Sequence, residues 1–106
     1  MDPVTRSRLG ARAKVLKAMA HPTRLFILDE HSRGERCVCV LRDMIGADIS
    51  TVSKHLSVLR EAGIVRDEKR GSMVFYTLLV PCILDFVSCV ESVLQRRSDD
   101  QLKVLK

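Results

Sequence analysis

No run of apolar residues in this chain approaches the roughly 20 needed to cross a bilayer, although hydrophobic residues fill 46% of its 106 positions. Together these facts exclude a helical membrane protein and a disordered chain, and they leave a globular protein with no membrane partner. Other absences narrow the class further. There is no glycine-rich phosphate loop, no metal-hydrolase motif, and no histidine placed in a motif with a cysteine, so enzymatic chemistry lacks its usual machinery. The opening stretch MDPVTRSRLGARAKVLKAMA has no apolar block leading to a small-residue cleavage site, so a cytoplasmic location is expected. No repeat, low-complexity segment or long linker divides the chain, and residues 1–106 are expected to form one domain.

What is present is positive charge. The formal net charge is +5 and the sequence pI about 9.3, a balance that favours polyanionic partners. The charge falls into two sets, Arg6, Arg8, Arg12, Lys14 and Lys17 near the start, and Lys54, Arg60, Arg66, Lys69 and Arg70 further on.

Apolar spacing predicts a helix from Arg6 to Ala20, with Leu9, Ala13, Leu16 and Ala20 on one face, ended by His21-Pro22. Pro22 suits the first position of a second helix, whose Leu25, Phe26, Leu28 face runs to about Ser32. RGER is a connector. Val38, Leu41 and Ile45 mark a short third helix closed by Gly46. Ser50 can cap a fourth helix, with Val52, Leu56 and Leu59 as its buried stripe and Gly63 as its end. IVRDEKR and MVFYTLL are β-type runs around Gly71-Ser72, a tight-hairpin pair. A last helix runs from Pro81 to about Arg96, with Ile83, Val87, Val90 and Leu94 on one stripe and Cys82, Phe86, Cys89 and Val93 on the next.

Two helices joined by a short glycine-containing turn, followed by a basic hairpin, give a mainly α domain with a β-hairpin wing: a winged helix-turn-helix. The fourth helix would then enter the major groove of double-stranded DNA. Thr51, Ser53, Lys54 and His55 are candidates for base edges, with Ser50 beside them at the helix start, while Ser57 and Arg60 suit phosphates. Lys69 and Arg70 on the hairpin could follow the backbone or reach the minor groove. His21 and His31 are expected at the surface or as caps.

Cys37 and Cys39 stand one residue apart at the predicted start of the third helix. Within a helix, residues i and i+2 point in nearly opposite directions, but in extended chain they share a side. The pair therefore chelates best where the helix has not yet begun, and it has no packing rationale. Thiol oxidation is the competing use. Cys82 and Cys89 are seven apart and share a face of the predicted last helix, but about 10 Å of rise separates them, too far to grip one ion alone. Each is either a small packing residue or a further ligand.

The block HPTRLFIL, CVC and STVSKHLSVLREAGIVRDEKRGSMVFYTL resembles the ArsR/SmtB family of bacterial metal-responsive repressors, over about residues 12–95. The resemblance implies a winged-helix homodimer, joined through its first and last helices, that sits on operator DNA and leaves when a toxic ion binds. The broad apolar face of the last helix agrees with a dimer, and a two-fold pair would present its reading helices about 34–36 Å apart to a palindromic site. Arsenic sensors of that family, typified by CVCDLC, carry a third cysteine where this chain has Arg42. The third thiol would have to come from Cys82, Cys89, another protomer or a small-molecule thiol. Such a soft set suits As(III), antimonite or a heavy divalent ion such as cadmium or lead. No histidine follows His55, which argues against the zinc site that some members build on the last helix.

Overall fold

The structure is a computed structural model and describes residues 1–105. Five helices and a three-stranded sheet follow in the order α1 (Pro3–Met19), α2 (Pro22–His31), β1 (Arg36–Cys37), α3 (Val38–Ile45), α4 (Ile49–Glu61), β2 (Val65–Arg70), β3 (Met73–Leu78) and α5 (Ile83–Leu105). The mainly α architecture with a hairpin wing is as the residue pattern implies.

Helix boundaries follow capping chemistry that apolar spacing does not report. α1 begins three residues before the expected Arg6, because Asp2 accepts the Thr5 N–H at 2.8 Å and Pro3 supplies a preset first helical position. α2 starts at Pro22 as expected, capped by the His21 ring, whose Nδ1 accepts from the Thr23 N–H at 3.1 Å. α4 is capped by Asp48 rather than Ser50. The Asp48 carboxylate accepts the Thr51 N–H at 2.7 Å and the Ser50 hydroxyl at 3.0 Å, leaving Ser50 inside the first turn. α3 exits through Gly46, whose φ of 78° is open to glycine without a Cβ penalty. α5 starts at Ile83, two residues later than expected, and continues nine residues past Arg96.

The hairpin pairs Arg70 with Met73 and Val65 with Leu78, turning at Gly71-Ser72. β1, which local pattern did not announce, adds to the other side of β3 with Arg36 opposite Tyr76 and Cys37 opposite Phe75. The segment taken for a plain connector thus ends in sheet.

Ile27, Leu28, Leu41, Val52, Leu56, Leu59, Ile64 and Val65 form the fully buried centre, at about 1.5–3 kcal/mol for each large side chain removed from water. The α4 stripe lies in this core as expected. On α2 the buried pair is Ile27 and Leu28, whereas Leu25 and Phe26 line a groove of about 530 Å³ between α2 and α5. His31 is a core residue, not a surface one. Its ring bridges the Ile27 carbonyl at 2.8 Å and the Tyr76 carbonyl at 3.1 Å, pinning α2 to β3.

Candidate functional site

α3 and α4 meet through a turn of Gly46, Ala47 and Asp48, which sets α4 across the top of α3. With Val52, Leu56 and Leu59 turned inward, Thr51, Lys54 and Arg60 are exposed, while Ser53, His55 and Ser57 are half-buried at the flanks. The hydrogen bonds from Thr51 and Ser50 hold the Asp48 carboxyl below the usual carboxylate range. A charged cap of this kind fixes the first turn of α4 and favours its positive end.

The cations divide into free and tethered groups. Among the described residues Lys54 and Lys69 enter no ion pair, and both side chains are exposed. Arg60 instead reaches Asp67 at 3.0 Å, tying the end of α4 to β2. Arg70 is held most firmly. Its guanidinium makes a two-point contact with Glu35 at 2.6 and 2.8 Å, touches Glu68 at 2.9 Å and lies 4.7 Å from the centre of the Phe75 ring. Glu35 escapes sequence inspection because its partner is 35 residues away.

His55 faces α2 as much as solvent. Its Nδ1 accepts from the Arg24 Nε–H at 3.1 Å and its ring centre lies 4.4 Å from that of His21. Burial first, and then the nearby His21 and Arg24, lower its pKa and favour the neutral ring. Arg24 also donates to the Ala18 carbonyl at 3.2 Å, so this cluster joins α1, α2 and α4.

The two cysteines straddle the handover from strand to helix. Cys37 ends β1 and is also the residue that precedes α3, with an extended backbone at φ −75° and ψ 144°. Cys39 lies in the first turn of α3. Extended backbone at the first of the pair brings both side chains to one side, and their Sγ atoms lie 2.7 Å apart as free thiols. Burial pushes the Cys37 thiol up. Hydrogen bonds from the Cys39 side chain and from the Cys39 and Val40 backbone, with the Arg42 charge, outweigh that and bring it below its ordinary value. The Cys39 thiol is raised in return, first by its hydrogen bond to Cys37. One sulfur is thus primed to lose its proton first.

The other two cysteines stand apart from this pair. Cys82 lies in the turn before α5, outside the helix in which it was expected, and Cys89 lies within α5; both are exposed. No group of three His, Cys, Asp or Glu able to hold a metal ion occurs among the described residues. In donor chemistry Cys37 and Cys39 fit a soft, thiophilic ion, and they supply two of its ligands. Beside them opens a cavity of about 220 Å³ reaching to α4 and the hairpin.

Residues 21–67 match the family model described as bacterial regulatory protein, arsR family. The chain is 36% identical to the HTH-type transcriptional repressor SmtB of Mycobacterium tuberculosis, over 81% of this chain and 67% of that protein. Two solved structures share the architecture. One is the homodimeric winged helix-turn-helix DNA-binding domain of a possible ArsR-family regulator from Mycobacterium bovis, with TM-score 0.76 and 27% identity, covering 90% of this chain and 88% of that one. The other is the antimony-specific transcriptional repressor AntR, with TM-score 0.75 and 26% identity, covering 93% and 90%. With its helix-turn-helix, wing and capped reading helix in this order, the chain belongs to the arsR family of bacterial regulatory proteins and is a winged helix-turn-helix transcriptional regulator.

Proposed function

We propose that the protein is a homodimeric repressor that holds a palindromic operator and releases it when a thiophilic ion, arsenite first among the candidates, binds Cys37 and Cys39. One observation carries this reading: the two sulfurs converge at the joint where β1 becomes α3. That joint touches both DNA-reading elements, since α3 supports α4 and β1 pairs with β3 of the wing. Drawing the thiolates onto an ion redirects the first turn of α3, and with it the angle between α4 and the hairpin. A coupling of about 1–3 kcal/mol changes operator affinity roughly 5- to 150-fold, enough for a switch.

Thr51, Ser53 and Lys54 are the residues assigned to base edges, and Ser50, Ser57 and Lys69 to phosphates. His55, Arg60 and Arg70 act at the border of that surface, where their partners on α2, β2 and Glu35 set how far they extend. The homodimer reading draws on the exposed apolar residues of α1 and α5 and on the homodimeric relative. The ion reading draws on the antimony-specific one and on the softness of sulfur.

The test replaces both Cys37 and Cys39 with serine. Operator binding, followed by fluorescence anisotropy of a labelled duplex, should persist, and release by arsenite should vanish. Release that survives in this variant places the sensor elsewhere.

A second reading has its own support. With the sulfurs in contact and no third donor beside them among the described residues, oxidation to a Cys37–Cys39 disulfide would deform the same joint. Mass spectrometry under non-reducing conditions separates a two-proton loss from an ion adduct, and X-ray absorption at the metal edge distinguishes arsenic from cadmium or lead.

A further inference from the structure

The thiol pair opens onto a cavity, and that cavity is too large for a bare ion. Its volume is about 220 Å³, and its walls include Ile49 and Ser53 from the start of α4 and Ser72 and Val74 from the hairpin, with Cys37 and Cys39 at its foot. For comparison, an apolar cavity of about 150 Å³ accepts benzene. The donor count points the same way. Trivalent arsenic forms three bonds, and an inorganic arsenite ion needs a third sulfur for full thiolate ligation. Only two are gathered here among the described residues.

Resting on the ion-sensor reading above, we infer that the site is built for a trivalent arsenical carrying one organic substituent, RAs(OH)2, whose R group occupies this cavity. The third bond of arsenic is then a carbon bond that does not exchange, and two protein thiols complete the site. Each thiol gives its proton to one arsenic-bound hydroxyl. Two As–S bonds form, two As–O bonds break and two waters leave, while arsenic stays trivalent and nothing is oxidised. The substituent lies between α3, α4 and the hairpin, so its bulk acts on the elements that read DNA. Ile49 is itself about half exposed, and a ring laid against it removes apolar surface from water on both sides.

Phenylarsine oxide and sodium arsenite are the probes, titrated into the reduced full-length protein without added dithiol. Intact-mass spectrometry reads stoichiometry and competition reads affinity. One phenylarsenic per protomer, bound about tenfold or more tighter than arsenite, is expected from burial of the ring. Val74→Phe and Ile49→Trp each fill the cavity from a different wall. Each should lower phenylarsenical affinity by about tenfold or more and leave the arsenite affinity unchanged, with circular dichroism confirming that at least one is folded. Equal affinity for the two probes, or loss of both in equal measure in the filled variants, overturns the inference and leaves the repressor reading standing. Failure of both probes to bind the wild-type thiols overturns the two together.

Discussion

The middle of the molecule and its two ends treat apolar residues in opposite ways. From α2 to β3 the large aliphatic side chains that define the helix stripes are almost wholly buried, with Leu41, Val52, Leu56 and Leu59 at 0% exposure. On α1 and α5 the same kind of residue at the same spacing lies open: Leu9 is 43% exposed, Leu16 46%, Phe86 45% and Val90 46%. Both regions obey helical periodicity, but only the middle has something within the chain to pack against. The ends carry apolar surface that this domain cannot cover, which is the signature of a surface meant for association.

This difference can be broken from the middle first. Leu56→Ala deletes a fully buried side chain from the reading helix, and it should cost about 2–5 kcal/mol by leaving a cavity. For a chain of this size that amounts to a fall in Tm on the order of 10 °C or more. A fall of only a degree or two would mean that the centre of α4 is not the keystone its burial indicates.

At the ends the expected loss is of assembly rather than of fold. Changing Phe86 and Val90 together to glutamate should leave the helical circular dichroism signal in place and give a monomer in sedimentation. Operator affinity should then fall on the order of 10²-fold, because the second half-site no longer gains from the first. A variant that still sediments as a dimer would move the joint away from this face of α5.

The same contrast explains which features were legible in the sequence. The α4 stripe, the hairpin turn and the Gly46 exit are local: each follows from residues within a few positions of one another. Placement of Cys37 and Cys39 at the strand-to-helix boundary was legible for the same reason. The features that were not legible join distant positions. β1 has two residues and exists only because β3, about 40 positions later, offers a free edge. His31 is buried by carbonyls of its own helix and of Tyr76. His55 turns toward Arg24, 31 residues earlier, and not simply outward with its neighbours. Asp48 outcompeted Ser50 as cap because both are good caps and only backbone geometry chooses between them. Apolar spacing on α1 and α5 correctly marked a buried face, but it could not say that the burial lies outside the single chain.

A finer test concerns how the middle holds its wing. Arg70 would be a phosphate ligand by position, yet Glu35 grips it by two hydrogen bonds from the chain leading to the thiols. Glu35→Gln removes the charge that competes with DNA. The slope of log affinity against log salt concentration should steepen by about 1, the contribution of one added phosphate contact. An unchanged slope would show that Glu68 and Phe75 suffice to keep Arg70 on the sheet.

The smallest effect expected lies at the seam between the middle and α1, where His55, Arg24 and His21 meet. Burial, reinforced by the two neighbours, depresses the folded pKa of His55 below its ordinary value of 6.5. Falling pH therefore protonates the unfolded chain first, and the folded state, which resists protonation, loses stability relative to it. The loss begins as pH drops through 6.5 and is complete once it passes the depressed folded value. His55→Gln retains an acceptor for the Arg24 Nε–H and removes the titration. Its Tm should decline less than that of the wild type between pH 7 and pH 5.5, while the two agree in their response to Phe86 and Val90 substitution. Parallel declines would mean that His55 is as free to protonate in the fold as in the unfolded chain, and that the seam with α2 does not restrain it.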